Sequence, residues 1–191
     1  SSVVSTARSS TARRRMAAWL QHSAGLQPGE RLAIMLPNLP QYLVALIGAW
    51  RAGLVVVNVN PMYTASEVES QLLDAGATAL LTLEALLPLV RPLRSKLGLR
   101  RIIVTVTGEM GPQGVARSGV SAPLDPGEHA LAEVWADAAL PDVVEVPVDH
   151  GTLALLQYTG GTTGVSKGAM LTHGNLVSNV LQAAPWYGDV L

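Results

Sequence analysis

Residues 31–83 read RLAIMLPNLPQYLVALIGAWRAGLVVVNVNPMYTASEVESQLLDAGATALLTL. The spacing of their apolar residues alternates between a strand and a helix period. RLAIML over 31–36 is a short apolar run closed by Pro37-Asn38, the pattern of a buried strand. Residues 39–52 take helical spacing and end before Gly53, which suits a C-cap. LVVVNVN over 54–60 is rich in Val and reads as a second strand. Thr64 with Glu67 three residues later fits a capping box, in which each side chain satisfies an orphan backbone donor. Val68, Leu72 and Ala75 follow at helical spacing, Gly76 ends that helix, and 77–83 reads as a third strand.

The same alternation continues on both sides. Residues 10–24 read as a helix with Met16, Trp19 and Leu20 on one face, and 26–30 as a turn. Residues 86–97 read as a helix with Pro88 in its first turn. Pro92 lies inside it, where a missing N–H predicts a kink or a break. RIIVTV over 101–106 reads as a fourth strand, LALLQY over 153–158 as a fifth, and 173–184 as a helix. The Gly- and Pro-containing stretch 107–150 reads mostly as a surface loop excursion with one short helix over 129–138. Short strands separated by helices need crossover connections, so the expected fold is α/β with a mainly parallel sheet.

Composition narrows the function classes. Hydrophobic residues make up 49% of the 191 and charged residues 14%, enough apolar surface for a packed core. The net charge is −1, so no global basic field attracts nucleic acid. The run Arg13-Arg14-Arg15 reads as a solvated helix face, with contact to anionic lipid as its alternative. Cys is absent, which excludes disulfides and Cys-based zinc sites. No apolar stretch reaches the roughly 18 residues of a membrane span. His22, His129 and His150 lack partners at ligand spacing. Tyr42, Trp50 and Tyr63 read as packing residues, and His173 with Asn175 as a helix-entry pair.

One segment carries chemistry: Tyr158-Thr159-Gly160-Gly161-Thr162-Thr163-Gly164-Val165-Ser166-Lys167-Gly168-Ala169. It follows an apolar strand and holds four Gly, three Thr, one Ser and one Lys in twelve residues. Glycines let successive backbone N–H groups turn toward one point, and such a nest binds anions. The hydroxyls of Thr159, Thr162, Thr163 and Ser166 add neutral donors or reach a magnesium ion, and Lys167 adds a point charge. The expectation is a polyphosphate-binding bend between a strand and a helix. It is not a Walker loop, because Gly168 follows Lys167 and Gly164 lies three residues before it. It is not a dinucleotide fingerprint either, since the Gly spacing fails.

The string LLQYTGGTTGVSKGAMLTHGNL resembles the signature of the adenylate-forming superfamily, which includes acyl-CoA synthetases, luciferases and peptide-synthetase adenylation domains. PGERLAIMLPNLPQYLVALIGAWRAG and VVVNVNPMYTASEVESQLLDAGA are similar to bacterial long-chain fatty-acid–CoA ligases within it. The likeness covers about residues 26–106 and 146–182. One departure is Ser166, where many members have Pro before the Lys.

The resemblance implies an amino-terminal fragment, with 1–191 a partial N-terminal AMP-binding domain and the C-terminal domain absent. It implies ATP, fatty acid and CoA as substrates, with Mg2+ as the cofactor. A carboxylate attacks the α-phosphate of ATP, giving acyl-adenylate and pyrophosphate, and the CoA thiol then displaces AMP. Residues 158–169 become the nucleotide-binding loop, Lys167 its phosphate partner and Thr162 its magnesium contact. The main catalytic residues fall beyond Leu191, so the fragment alone is expected to be inactive. A cytoplasmic location is implied, with peripheral attachment to the inner face of the membrane by analogy. The loop leaves open an amino-acid- or aryl-acid-activating enzyme and an inactive nucleotide-binding fragment.

Overall fold

The computed structural model describes residues 2–111, 114–115, 119–137, 139–159 and 167–187. The helices are α1 (Ser2–His22), α2 (Pro40–Arg51), α3 (Ala65–Ala75), α4 (Leu87–Val90), α5 (Arg94–Leu97), α6 (Leu131–Ala136) and α7 (His173–Tyr187). The strands are β1 (Arg31–Met35), β2 (Val55–Asn58), β3 (Ala77–Leu83), β4 (Arg101–Thr105), β5 (Met110–Gly111), β6 (Gly114–Val115), β7 (Glu128–Ala130), β8 (Leu153–Thr159) and β9 (Lys167–Thr172).

Among the described residues, seven strands form one sheet in the order β7-β4-β3-β1-β2-β8-β9. All neighbours pair in parallel except β8 and β9, which are antiparallel. β5 and β6 form a separate two-stranded ribbon. The α/β, mainly parallel fold read from the sequence is therefore present.

Strand alternation splits the core into two layers, because successive side chains point to opposite faces. Leu32, Ile34, Val56, Leu81, Ile103 and Leu155 face α1, α2 and α6. Ala33, Val55, Val57, Leu80, Ile102 and Leu156 face α3 and the segment 87–97. Both faces are covered, which is why β1 and β2 are continuously apolar rather than alternating.

Local chemistry explains the helix bounds. At α3, the Thr64 N–H donates to Glu67 Oε2 at 2.8 Å, and the Glu67 N–H donates back to Thr64 Oγ1 at 3.4 Å, forming the expected capping box. Gly76 closes α3 at φ 62, a left-handed value where a side chain would be strained. Around Pro92 the expected single helix is broken into 3-10 turns at Glu84–Leu86 and Arg91–Leu93 alternating with α4 and α5.

Besides the β5–β6 ribbon within the stretch read as loop, three elements differ from the sequence reading. α1 begins at Ser2 rather than near residue 10, because SVVSTARS carries no apolar stripe to announce it. Within 107–150, besides the helix at Leu131–Ala136, Glu128–Ala130 adds a strand to β4 through the pairs Ile102↔Glu128 and Val104↔Ala130. Finally, β9 lies between the Gly/Thr segment and α7, a strand that the sequence reading did not place between the bend and the helix over 173–184.

Candidate functional site

The described part of the Gly/Thr segment is a pair of shoulders at the carboxyl end of β8. Thr159 pairs with Lys167, Tyr158 with Gly168 and Gln157 with Ala169. Gly160, Gly161, Thr162, Thr163, Gly164, Val165 and Ser166 lie outside the described residues. Directly opposed residues of an antiparallel pair share a face. Thr159 and Lys167 therefore project, both exposed, on the face of Gln157, while Tyr158 and Gly168 share the face of α3. In open α/β sheets the crevice beyond the carboxyl ends of the parallel strands is where ligands bind.

A polar relay supports the Lys167 face. Tyr42 Oη donates to Asn58 Oδ1 at 2.8 Å, and Asn58 Nδ2 donates to Gln157 Oε1 at 2.7 Å. Gln71 Nε2 donates to the Asn58 carbonyl at 2.6 Å, tying α3 to the end of β2. Burial raises the Tyr42 phenol pKa despite its hydrogen bond to Asn58, so the group stays a donor. The sequence reading assigned Tyr42 to packing and missed this relay. Its available signal was Asn58, a polar residue set inside a Val-rich strand.

On the opposite face, Tyr158 is buried and its Oη donates to Asp74 Oδ2 at 2.5 Å. Burial pushes the Tyr158 phenol strongly upward, and the Asp74 carboxylate adds to the shift. Gly168 lies against the ring: an added Cβ would meet Tyr158 Cζ at 2.9 Å. Here glycine serves close approach rather than a left-handed backbone.

Of the helix-entry pair, Asn175 caps α7 together with Thr172, and His173 packs. The Thr172 N–H donates to Asn175 Oδ1 at 2.9 Å, and the Asn175 N–H donates to Thr172 Oγ1 at 3.2 Å. His173 stacks edge-on against Trp50 with centroids 5.6 Å apart, and burial lowers its pKa. His129 packs against Trp19 in the same way at 5.0 Å, with its pKa lowered by burial and then by Arg101. Among the described residues, no group of three or more His, Cys, Asp or Glu could hold a metal ion. None of their helices is long and apolar enough to cross a membrane. A cavity of about 260 Å³ between α1 and the residues Asp137 and Leu140 to Val143 is flanked by Arg14, Arg15, Asp137 and Asp142, with no described hairpin residue in its lining.

The AMP-binding enzyme family matches residues 5–190. The long-chain-fatty-acid–CoA ligase of Haemophilus influenzae is 40% identical over 190 residues, covering 92% of this chain and 34% of that protein. The chain thus spans about a third of the length of the curated relatives it matches. The crystal structure of a long-chain-fatty-acid–CoA ligase from Archaeoglobus fulgidus superposes with a TM-score of 0.72 at 31% identity, over 91% of this chain and 31% of that one. ATP-bound MatB from Rhodopseudomonas palustris superposes with a TM-score of 0.69 at 29% identity, over 93% and 31%. With the family's match running through both layers of the core and across the β8–β9 hairpin, this chain belongs to the AMP-binding enzyme family.

Proposed function

We propose that residues 158–169 are the phosphate-binding loop of an ATP-dependent long-chain fatty-acid–CoA ligase. The observation that carries this reading is the pairing of Thr159 with Lys167. It sets a hydroxyl and an ammonium on one face, on either side of a Gly/Thr/Ser segment, at the carboxyl end of a parallel strand. The long-chain reading rests on the 40% identity to the Haemophilus influenzae ligase, and the ATP reading on the likeness to ATP-bound MatB.

In the first step, the fatty-acid carboxylate oxygen forms a bond to the α-phosphorus and the α–β bridging oxygen leaves with pyrophosphate. Charge grows on that leaving group. Lys167 and the loop amides hold it through charge-assisted hydrogen bonds, which lowers the barrier. In the second step, the CoA sulfur attacks the acyl carbon and AMP departs. The hard oxygen donors of the segment suit Mg2+, which is usually held by substrate phosphates and a few protein oxygens. Thr162 is the residue proposed to touch it, and the ion would neutralise phosphate charge.

The relatives are about three times as long as this chain, and we assign it a partial N-terminal domain that does not turn over alone. Purified residues 1–191 should form no acyl-CoA from ATP, fatty acid and CoA. The loop is tested by titrating MgATP into the chain and into Lys167→Ala. Loss of one charged hydrogen bond should weaken binding by about tenfold or more; unchanged affinity would refute the assignment. ATP–pyrophosphate exchange by the full-length protein with fatty, aryl and amino acids distinguishes the acyl classes.

A further inference from the structure

We propose that Asp74 is a positioning residue for the phosphate-binding hairpin, acting through Tyr158; the inference rests on the loop assignment above. Asp74 lies in the last turn of α3, which carries no basic residue. The carboxyl end of a helix disfavours negative charge, so an acid there is out of place unless it has another partner. That partner is Tyr158 Oη at 2.5 Å, 84 residues further along the chain.

The contact reaches both strands of the hairpin. Tyr158 is buried among Val68, Leu72 and Leu156 in the α3 layer. Its ring covers Gly168, its register partner on β9. Fixing the phenol therefore fixes the backbone next to Thr159 on β8 and next to Lys167 on β9. α3 presents Asp74 from its last turn, which Gly76 closes at once in a left-handed conformation. Such a link orients the Thr159 and Lys167 donors before phosphate arrives, and pre-organisation lowers the ordering cost of binding.

The test uses the full 191-residue chain and MgATP as probe, read by calorimetry. Asp74→Ala and Tyr158→Phe should each weaken ATP binding by about tenfold, the worth of one charge-assisted hydrogen bond. The double variant should be no weaker than either single one, because both remove the same link. Asp74→Asn keeps an acceptor and should recover part of the loss. Thr64→Ala destabilises α3 without touching Tyr158 and should leave ATP affinity unchanged; an equal loss there would show a merely structural role and overturn the proposal. Unchanged affinity in Asp74→Ala and Tyr158→Phe, with Lys167→Ala impaired, would also overturn it while sparing the loop assignment. If Lys167→Ala binds as the unmodified chain does, the loop assignment fails. Hydrogen exchange then decides whether Asp74 positions the hairpin: faster exchange confined to 157–169 in Asp74→Ala supports it, and an unchanged pattern refutes it.

Discussion

Gly168 and Tyr158 face each other across the β8–β9 hairpin so closely that a Cβ on Gly168 would stand 2.9 Å from Cζ and 3.1 Å from Cε2 of the ring. The ring is held by α3 and cannot yield freely. Gly168→Ala should lower unfolding stability by about 1–3 kcal/mol, the usual cost of overpacking, as measured by urea denaturation. Adding Tyr158→Ala removes the obstacle, so the double variant should lose less than the sum of the single losses.

Glu128 on the edge strand β7 has a fully buried side chain, and Arg91 donates to it from Nε at 3.0 Å and Nη2 at 2.7 Å. Burial pushes its carboxyl upward. The bonds from Arg91 and from the Asp125 N–H, with the Arg91 charge, outweigh that and hold it below 4.5. A depressed carboxyl contributes stability above its unfolded pKa and loses it as pH falls through the folded value. Arg91→Ala should therefore lower Tm by several degrees at pH 7, and the difference should shrink as pH drops below 4.5. Thermal melts across that range check it.

Glu109 follows β4, is buried, and accepts from Thr105 Oγ1 at 2.6 Å. Burial raises its pKa above 4.5, and hydrogen bonds from Thr105 and from the Val106 and Ala132 N–H groups only partly offset the shift. The folded state holds this proton more tightly than the unfolded one. The ionised side chain therefore costs stability as pH rises past 4.5, and the cost vanishes in acid. Glu109→Gln removes the charge while keeping an acceptor. It should raise Tm at pH 7, with the gain fading toward pH 4 in parallel melts.

Much of the central sheet was legible because its signals are local. The Val run of β2, the Thr64–Glu67 box and the break at Pro92 each lie within a few residues. β7 is Glu128-His129-Ala130, which has no strand-like pattern; it is a strand because it pairs with Ile102–Val104. β9 is KGAMLT, whose Gly and Ala disfavour strands; pairing with β8 overrides that preference. The Gly/Thr segment stood out by composition. Its support from Asp74 did not, because the pair is separated by 84 residues and no local period links them.

Helix α7 leaves Val177, Val180, Leu181 and Trp186 exposed, and Met170 stands out from the neighbouring strand. Among the described residues β9 ends the strand order, and no described strand pairs with its outer row of N–H and carbonyl groups. A greasy helix next to an open ribbon edge is a surface to which another polypeptide adheres. Handled by itself, the 191-residue chain should stick to its own copies as it is concentrated. Sedimentation velocity would show the growth, and Val180→Lys with Leu181→Glu should suppress it while leaving the core intact.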